Sequence, residues 1–301
     1  MTIMSPAFIA LDWGTTSFRA YLVGADGAVR DTRASADGIL SVTDGAFEPV
    51  FERQVAGWDV GLPVLASGMI TSRQGWREVP YAVAPAGLAE LAAGVTRFVT
   101  GGGRTILFVP GVSYRAENGV PDVIRGEETQ IVGALGAGGA VVVTRGTHCK
   151  WLAVEAGRIT RFATFMTGEM FAVLKGHSIL GRLMTGEAAT GPGFARGVEA
   201  GLAGRALLHD LFSARTLGLF GDVAGHDLAS YLSGLLIGAE IVGARERFLP
   251  GADGVTMIGG AALAEPFGKA LDIAGIAWRS GPADAAVRGL AMIGRQAGVI
   301  A

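Results

Sequence analysis

Asp12 closes the apolar run Phe8-Ile9-Ala10-Leu11 and is followed by the turn Trp13-Gly14-Thr15-Thr16-Ser17. A carboxylate placed there can reach a Mg²⁺ that bridges phosphates, mostly through water, because Mg²⁺ keeps several of its waters. It can equally accept backbone N–H bonds within its own turn. A second turn of the same kind, Arg145-Gly146-Thr147-His148, follows Ala140-Val141-Val142-Val143-Thr144 and leads into Trp151-Leu152-Ala153-Val154. Gly-Thr turns present backbone N–H groups and hydroxyls with little side-chain bulk, which suits phosphate oxygens. The second turn tips Asp12 toward phosphate work, and two such turns facing each other could clamp the phosphates of one nucleotide.

Two further segments carry candidate chemistry. Arg125-Gly126-Glu127-Glu128-Thr129-Gln130 opens a helix. Two carboxylates in a first turn stabilise a helix start through the macrodipole, and one of them could instead be a general base for a hydroxyl nucleophile. Val255-Thr256-Met257-Ile258 runs into Gly259-Gly260-Ala261, where small residues let a flat adenine or a ribose approach the backbone, or simply make a tight turn. Several alternatives are excluded. No Gly-x4-Gly-Lys-Ser/Thr loop occurs, and Gly101-Gly102-Gly103 and Gly136-Ala137-Gly138-Gly139 precede strands, not helices. His148, His177, His209 and His226 lack zinc-ligand spacing with each other or with Cys149, and no Gly-x-Ser-x-Gly elbow is present.

The elements that must position these residues read as a repeated β-turn-β-turn-β unit within an alternation of strands and helices. Strands are expected at 7–12, 18–24, 28–35, 63–69, 105–110, 140–144, 149–155, 158–164 and 255–258. Helices are expected at 47–58, 86–94, 126–136, 168–177, 195–212, 227–247, 261–273 and 283–297. In the helix at 227–247 the apolar residues recur at helical spacing, with Glu240, Arg245 and Glu246 near its end. A length of 301 residues, 50% of them hydrophobic, suits two domains, divided near Asn118-Gly119-Val120-Pro121: 1–118 and 119–282. The 48 glycines fit many tight turns and close backbone approaches, or a compositional bias alone. A net charge of -2 without a long basic stretch argues against a nucleic-acid partner. The single cysteine points to a reducing compartment. Residues 1–11 make a poor signal peptide, and the apolar stretch 131–144 is too short and Gly-rich to span a bilayer, so a cytoplasmic protein without a membrane partner is expected.

Taken together and in this order, the motifs resemble the sugar kinase/Hsp70/actin superfamily, and more closely the 2-dehydro-3-deoxygalactonokinases. The matching residues are Ile9 to Thr16, Ser67-Gly68-Met69-Ile70 with Gly75-Trp76 and Pro80-Tyr81, Arg125 to Gln130, Gly146-Thr147-His148-Cys149-Lys150-Trp151, Met166-Thr167-Gly168-Glu169, and Leu232 to Glu240. Arg145 departs from the pattern, standing where a small residue or Pro is expected; it could help binding or point to solvent.

The resemblance implies an α/β fold of two ribonuclease-H-like domains around a cleft, the helix at 283–301 returning to the first. It implies transfer of the ATP γ-phosphoryl group to the C6 hydroxyl of 2-dehydro-3-deoxy-D-galactonate, a step of galactonate catabolism. In that reading Asp12 holds Mg²⁺, and Gly14, Thr15, Thr16, Gly146, Thr147 and His148 meet phosphates. Gly259, Gly260 and Ala261 approach adenosine, and Glu127 is the base in preference to Glu128. Ser67, Gly68, Met69, Arg125, Lys150, Thr167 and Glu169 are substrate-side candidates. Arg125 and Lys150 lead for the substrate carboxylate, ahead of Arg73 and Arg77. The implied partners are ATP and a small sugar acid, with a homodimer as one open assembly. The alternatives are a kinase for another sugar or sugar acid, such as 2-dehydro-3-deoxygluconate, and an actin- or Hsp70-like ATPase or sugar-binding regulator. For these last two the chain leaves little room: the first phosphate strand begins at Phe8, and the added subdomains of such ATPases are large.

Overall fold

The computed structural model describes residues 6–259 and 261–300, with the side chains of 261–264 excepted. Gly260 and the side chain of Ala261, both named above for adenosine, therefore lie outside the described residues. The contacts divide the chain into two compact units. Unit 1 takes the described residues of Met1–Gly139, Val154–Arg161 and Pro282–Ala301, and unit 2 takes Ala140–Ala153 and Phe162–Gly281.

Unit 1 begins with the antiparallel meander β1 (Pro6–Trp13), β2 (Phe18–Gly24) and β3 (Val29–Ser35), followed by α1 (Phe47–Gln54). Next come β4 (Val64–Ser67), β5 (Ala82–Val83), α2 (Leu88–Ala93), β6 (Thr96–Val99), β7 (Thr105–Phe108), β8 (Val112–Arg115), β9 (Pro121–Ile124) and α3 (Glu127–Leu135). Six strands form one sheet in the order β3-β2-β1-β4-β7-β6, and β5-β8-β9 form a smaller one. The pairs β1–β4 and β4–β7 are parallel, which brings the C-terminal ends of β1 and β4 side by side. Strand β1 is buried on both faces, as its unbroken Phe8-Ile9-Ala10-Leu11 run requires. On one face Ile9, Leu11 and Trp13 pack with Phe47 and Phe51 of α1, and Trp76 sits among Phe47, Phe51, Phe98 and Phe108.

Unit 2 repeats the plan. It holds β10 (Ala140–Thr144), β11 (Cys149–Glu155) and β12 (Arg158–Phe165), then α4 (Thr167–His177), α5 (Pro192–Leu202), α6 (Leu207–Asp210), α7 (Ser213–Leu219), α8 (Leu228–Phe248), β13 (Val255–Ile258), α9 (Ala261–Ile273) and β14 (Trp278–Ser280). The hairpin tip, residues 154–161, counts with unit 1. The sheet order is β12-β11-β10-β13-β14, with β13 parallel to both β10 and β14. Helices α5 and α8 meet through glycines. A Cβ on Gly197 would stand 2.1 Å from the Tyr231 carbonyl oxygen, and one on Gly234 would stand 2.2 Å from that of Phe194. That contact accounts for part of the glycine excess. Helix α8 is long and apolar enough to cross a membrane by length and composition, but 72% of its apolar window is buried inside the fold.

The last helix, α10 (Ala285–Gln296), packs on α3, α2, β1 and β4 of unit 1. A Cβ on Gly289 would stand 1.8 Å from the Thr129 carbonyl oxygen, and one on Gly133 would stand 1.9 Å from that of Ala285. This contact ties α3 to unit 1, so the division falls after Gly139 and not at 118–119. The helix expected over 195–212 breaks, because Gly204 takes φ +66 between α5 and α6.

Candidate active site

The site residues of unit 1 sit where β1 and β4 end. Asp12 is in register with Arg19 on β2 and with Ser67 on β4. Its carboxylate is 3.8 Å from Arg19 Nη1 and its side chain is 21% exposed. Desolvation pushes the Asp12 pKa up; Arg19 opposes that shift and the nearby Glu127 carboxylate adds to it. The turn beyond it is closed by the Gly14 N–H donating to Ser17 O at 2.9 Å. It is stapled to the next loop by Ile39 N–H to Gly14 O at 3.0 Å and Leu40 N–H to Thr15 O at 3.2 Å. Thr15 and Thr16 are exposed at its tip.

Gly68 follows β4 with φ +91, and a Cβ there would stand 3.1 Å from Asp12 Oδ1. The two acids at the start of α3 part company. The Glu127 carboxylate is half-buried and accepts the Arg125 backbone N–H at 2.9 Å. Glu128 is fully buried, and both its oxygens accept the Gly126 N–H at 2.8 and 2.9 Å. Burial, reinforced by the Glu127 charge, pushes the Glu128 pKa up to about 8.

Three of the substrate-side candidates are occupied within unit 1. Ser67 is fully buried, its hydroxyl 3.5 Å from Leu11 O, and Met69 packs on the core. The Arg125 guanidinium donates to Thr71 O at 2.6 Å, Thr71 Oγ1 at 2.5 Å and Val79 O at 3.2 Å, and it lies 4.1 Å over the Tyr81 ring. Only its Nε is left buried without a hydrogen bond. Arg73 pairs with Glu78 at 3.8 Å, and Arg77 lies over Phe98.

In unit 2 the second turn rests on the first turn of α4. The Glu169 N–H donates to Thr147 O at 3.0 Å. Gly168 allows that approach: a Cβ there would stand 2.9 Å from Thr147 O and 3.0 Å from Gly146 O. Thr147 and His148 are exposed, and His148 Nε2 is 2.5 Å from Glu169 Oε2. Lys150 is 8% exposed; its Nζ donates to Thr164 Oγ1 at 2.9 Å and meets no carboxylate among the described residues. A buried ammonium without a counter-charge is a fitting place for an anion. Gly259, at φ +130, abuts the Arg145 backbone, where a Cβ would stand 3.3 Å from Arg145 O.

Arg145 does not point to solvent. Its guanidinium turns inward and lies 4.2 Å over the ring of Phe267, which is fully buried. Glu240, a 3% exposed carboxylate that accepts Trp151 Nε1–H at 2.9 Å, lies near enough to act on it by charge. Desolvation lowers the Arg145 pKa and raises that of Glu240. Glu240 stands at the end of the Leu232–Glu240 run, and the sequence alone assigns it no role. The available signal was an acid inside an apolar run, with Cys149 and Trp151 sharing one face of β11.

Among the described residues no group of three or more His, Cys, Asp or Glu side chains could hold a metal on protein ligands alone. One half-buried carboxylate beside a phosphate-type turn suits Mg²⁺, which takes the rest of its shell from phosphates and water.

Two α/β units, each with a meander or hairpin beside parallel strands and a Gly-Thr turn at the strand ends, define the actin-like ATPase/sugar kinase fold. The (R)-2-hydroxyglutaryl-CoA dehydratase component A of Acidaminococcus fermentans superposes at a TM-score of 0.51 with 12% identity, over 97% of this chain and 100% of that one, a likeness of fold alone. The chain belongs to the 2-keto-3-deoxy-galactonokinase family, which it matches over residues 12–293, and it is a kinase. It is 39% identical over 293 residues to a Rhizobium meliloti protein named Probable 2-dehydro-3-deoxygalactonokinase DgoK1, covering 93% of this chain and 94% of the relative. It is 31% identical over 274 residues to the Escherichia coli 2-dehydro-3-deoxygalactonokinase, covering 90% and 91%. The crystal structure of a Sinorhizobium meliloti protein assigned as a 2-dehydro-3-deoxygalactonokinase superposes at a TM-score of 0.88 with 38% identity, over 96% of this chain and 98% of that one.

Proposed function

We propose that this kinase transfers the γ-phosphoryl group of ATP to the C6 hydroxyl of 2-dehydro-3-deoxy-D-galactonate, giving the 6-phosphate and ADP. The observation that carries the mechanism is the placing of Glu127 beside Asp12, with its carboxylate half-buried while that of Glu128 is turned into the fold. The O6–Pγ bond forms as the bond from Pγ to the β,γ-bridging oxygen breaks, and the hydroxyl proton passes to Glu127. A primary hydroxyl is a weak nucleophile, so proton removal during bond formation helps. The rest of the catalysis is positioning and charge neutralisation.

Asp12 would hold Mg²⁺ through water, and the ion would neutralise charge on the β- and γ-phosphates. Gly14, Thr15 and Thr16 offer N–H and hydroxyl donors on one turn, and Gly146 and Thr147 do so on the other. His148 and Glu169 form a pair at the second turn. Gly259 leaves its backbone open to adenosine. Lys150 is the better candidate for the substrate carboxylate, because Arg125 is already engaged by Thr71, Val79 and Tyr81. A single, buried thiol and ATP as co-substrate fit action in the cytoplasm.

The test is ADP release coupled to a spectrophotometric readout across a panel of sugar acids and neutral hexoses with Mg²⁺ and ATP. Turnover with 2-dehydro-3-deoxy-D-galactonate well above all others is expected. Preference for 2-dehydro-3-deoxygluconate would reassign the substrate, and turnover with neutral hexoses alone would remove the role given to Lys150.

A further inference from the structure

We infer that Glu240 is a positioning residue for the second Gly-Thr turn, holding both flanks of that turn and the helix beneath it from one buried carboxylate. The inference rests on the reading above that Gly146 and Thr147 contact phosphates.

Glu240 sits in the interior of α8, between buried Leu236, Ile237 and Ile241. A carboxylate there is costly unless paired. Its neighbours are not scattered. Arg145 enters the turn, Cys149 leaves it, and Trp151 is the next residue of β11 on the same face. Thr167 opens α4, and the two residues after it bear the turn: the Glu169 N–H holds Thr147 O, and Gly168 packs against the Gly146 and Thr147 carbonyls. One carboxylate therefore holds the Trp151 indole just past the turn and lies near Arg145 at its start, Cys149 at its end and Thr167 at its support.

The pairing is incomplete by strict hydrogen-bond geometry. Trp151 Nε1–H donates to Oε1, whereas Oε2 has no such partner, and the Cys149 thiol and Thr167 hydroxyl are its next polar neighbours. Arg145 Nε and Nη1 are likewise buried without an acceptor. Phe267 stacking and charge hold the guanidinium instead. Buried opposite charges that meet without a direct ion pair are a weak source of stability, and even buried ion pairs are commonly replaced by apolar side chains of similar volume without loss. Fixing the turn is the better account: donors misplaced by about 1 Å cost about a hundredfold in rate.

The experiment compares wild type, Glu240→Gln, Glu240→Leu and the double variant Arg145→Met/Glu240→Leu. It reads thermal melting, kcat, sugar-acid KM, and affinity for a non-hydrolysable ATP analogue by calorimetry. We expect the Glu240 single variants to lose roughly 10- to 100-fold in kcat and to bind the analogue more weakly, with sugar-acid KM within about twofold. The double variant should regain melting temperature, because no charge is left unpaired, yet keep the low kcat. Recovery of kcat together with melting temperature would overturn the inference and leave Glu240 as a counter-charge only. So would full kcat in a folded Glu240→Gln. Should the Glu240 single variants not fold, Cys149→Ala against Cys149→Ser reads the same contact: weaker analogue binding in Cys149→Ala, restored by the serine hydroxyl, supports it, and equal wild-type values in both overturn it. Wild-type protein that binds no analogue at all would overturn the phosphate reading and the inference with it.

Discussion

The backbones of Gly68 and Gly126 touch: a Cβ on Gly126 would stand 3.3 Å from Gly68 Cα. Gly68 in turn lies against the end of β1, where its own Cβ would stand 2.9 Å from Trp13 O. Both glycines have positive φ, +91 and +112. The first Gly-Thr turn, the end of β4 and the start of α3 are thus stacked with no side chain between them. Gly68→Ala and Gly126→Ala are expected to lower kcat at least about tenfold and to cost about 1–3 kcal/mol of stability. Gly27→Ala is the control, since Gly27 has φ +79 but open space around it. It should cost stability alone. Steady-state kinetics and thermal melts on the three variants check this, and an equal kcat loss in Gly27→Ala would dissolve the link to the site.

Asp12→Ala should nearly abolish turnover while the chain stays folded. The side chain is partly exposed, and among the described residues its ion-pair partner is Arg19 at 3.8 Å, so its loss opens no core cavity. Circular dichroism and Mg²⁺ titration of the residual rate provide the check. A normal rate with normal Mg²⁺ dependence would take Asp12 out of the site.

Glu127→Gln keeps size and cannot accept the hydroxyl proton. A fall in kcat of roughly 10²–10⁴ is expected, with analogue binding largely kept. Glu128→Gln should change kcat far less, because that side chain is buried against the Gly126 N–H. Both are measured at saturating substrates. A large loss confined to Glu128→Gln would keep the chemistry and exchange the residue.

The raised Glu128 pKa also predicts a stability profile. In the unfolded chain the group titrates near 4.5, and in the folded chain at about 8. Between those values the folded state holds the extra proton, so this group's contribution to stability falls as pH rises from about 4.5 to about 8 and is flat beyond. Urea unfolding at pH 5, 6, 7 and 8 should show wild type losing stability relative to Glu128→Gln across that window. Parallel curves would mean that Glu128 is ionised throughout.

Cys149 should resist alkylation until the protein unfolds. Its thiol is 2% exposed, and burial with the Glu240 charge pushes its pKa up to about 12. At pH 8 only about one thiol in 10⁴ would then be ionised. Labelling rates with a thiol reagent, with and without denaturant, settle the point; fast labelling of the native protein would contradict the burial.

Much of this was legible in the sequence, and the rest has physical reasons for being hidden. Strands β1, β10 and β11 are apolar runs that stop or start at Gly-Thr turns, and their bounds follow from that pattern. Strands β5, β6, β8, β9 and β14 are two to four residues long and were not anticipated. Ala82 of β5 pairs with Val112, and Val112 with Ile124, so their order comes from partners remote along the chain. For Glu127 and Glu128 helical geometry says that only one can face out; which one is decided by the Gly126 N–H. Glu240 looked like part of a polar helix end, and the fold instead buries it against Trp151. Arg125 had the right charge for a carboxylate ligand, but Thr71, Val79 and Tyr81, none of them its neighbour in sequence, take its guanidinium.

Helix α10 follows every residue of unit 2 in the chain, yet it covers β1 and β4 and locks α3 through Gly289 and Gly133. During synthesis the ribosome delivers the parts of unit 1 up to Gly139 before unit 2 and its helix α10 after unit 2. Unit 2, whose described segments end at Gly281, can complete its core before unit 1 can. The helix bearing Glu127 and Glu128 must wait, with the apolar backs of β1 and β4 uncovered, until residues 285–296 have emerged. The core of unit 2 is therefore complete along the chain before that of unit 1, and the start of α3 gains its cover only once residues 285–296 are in place.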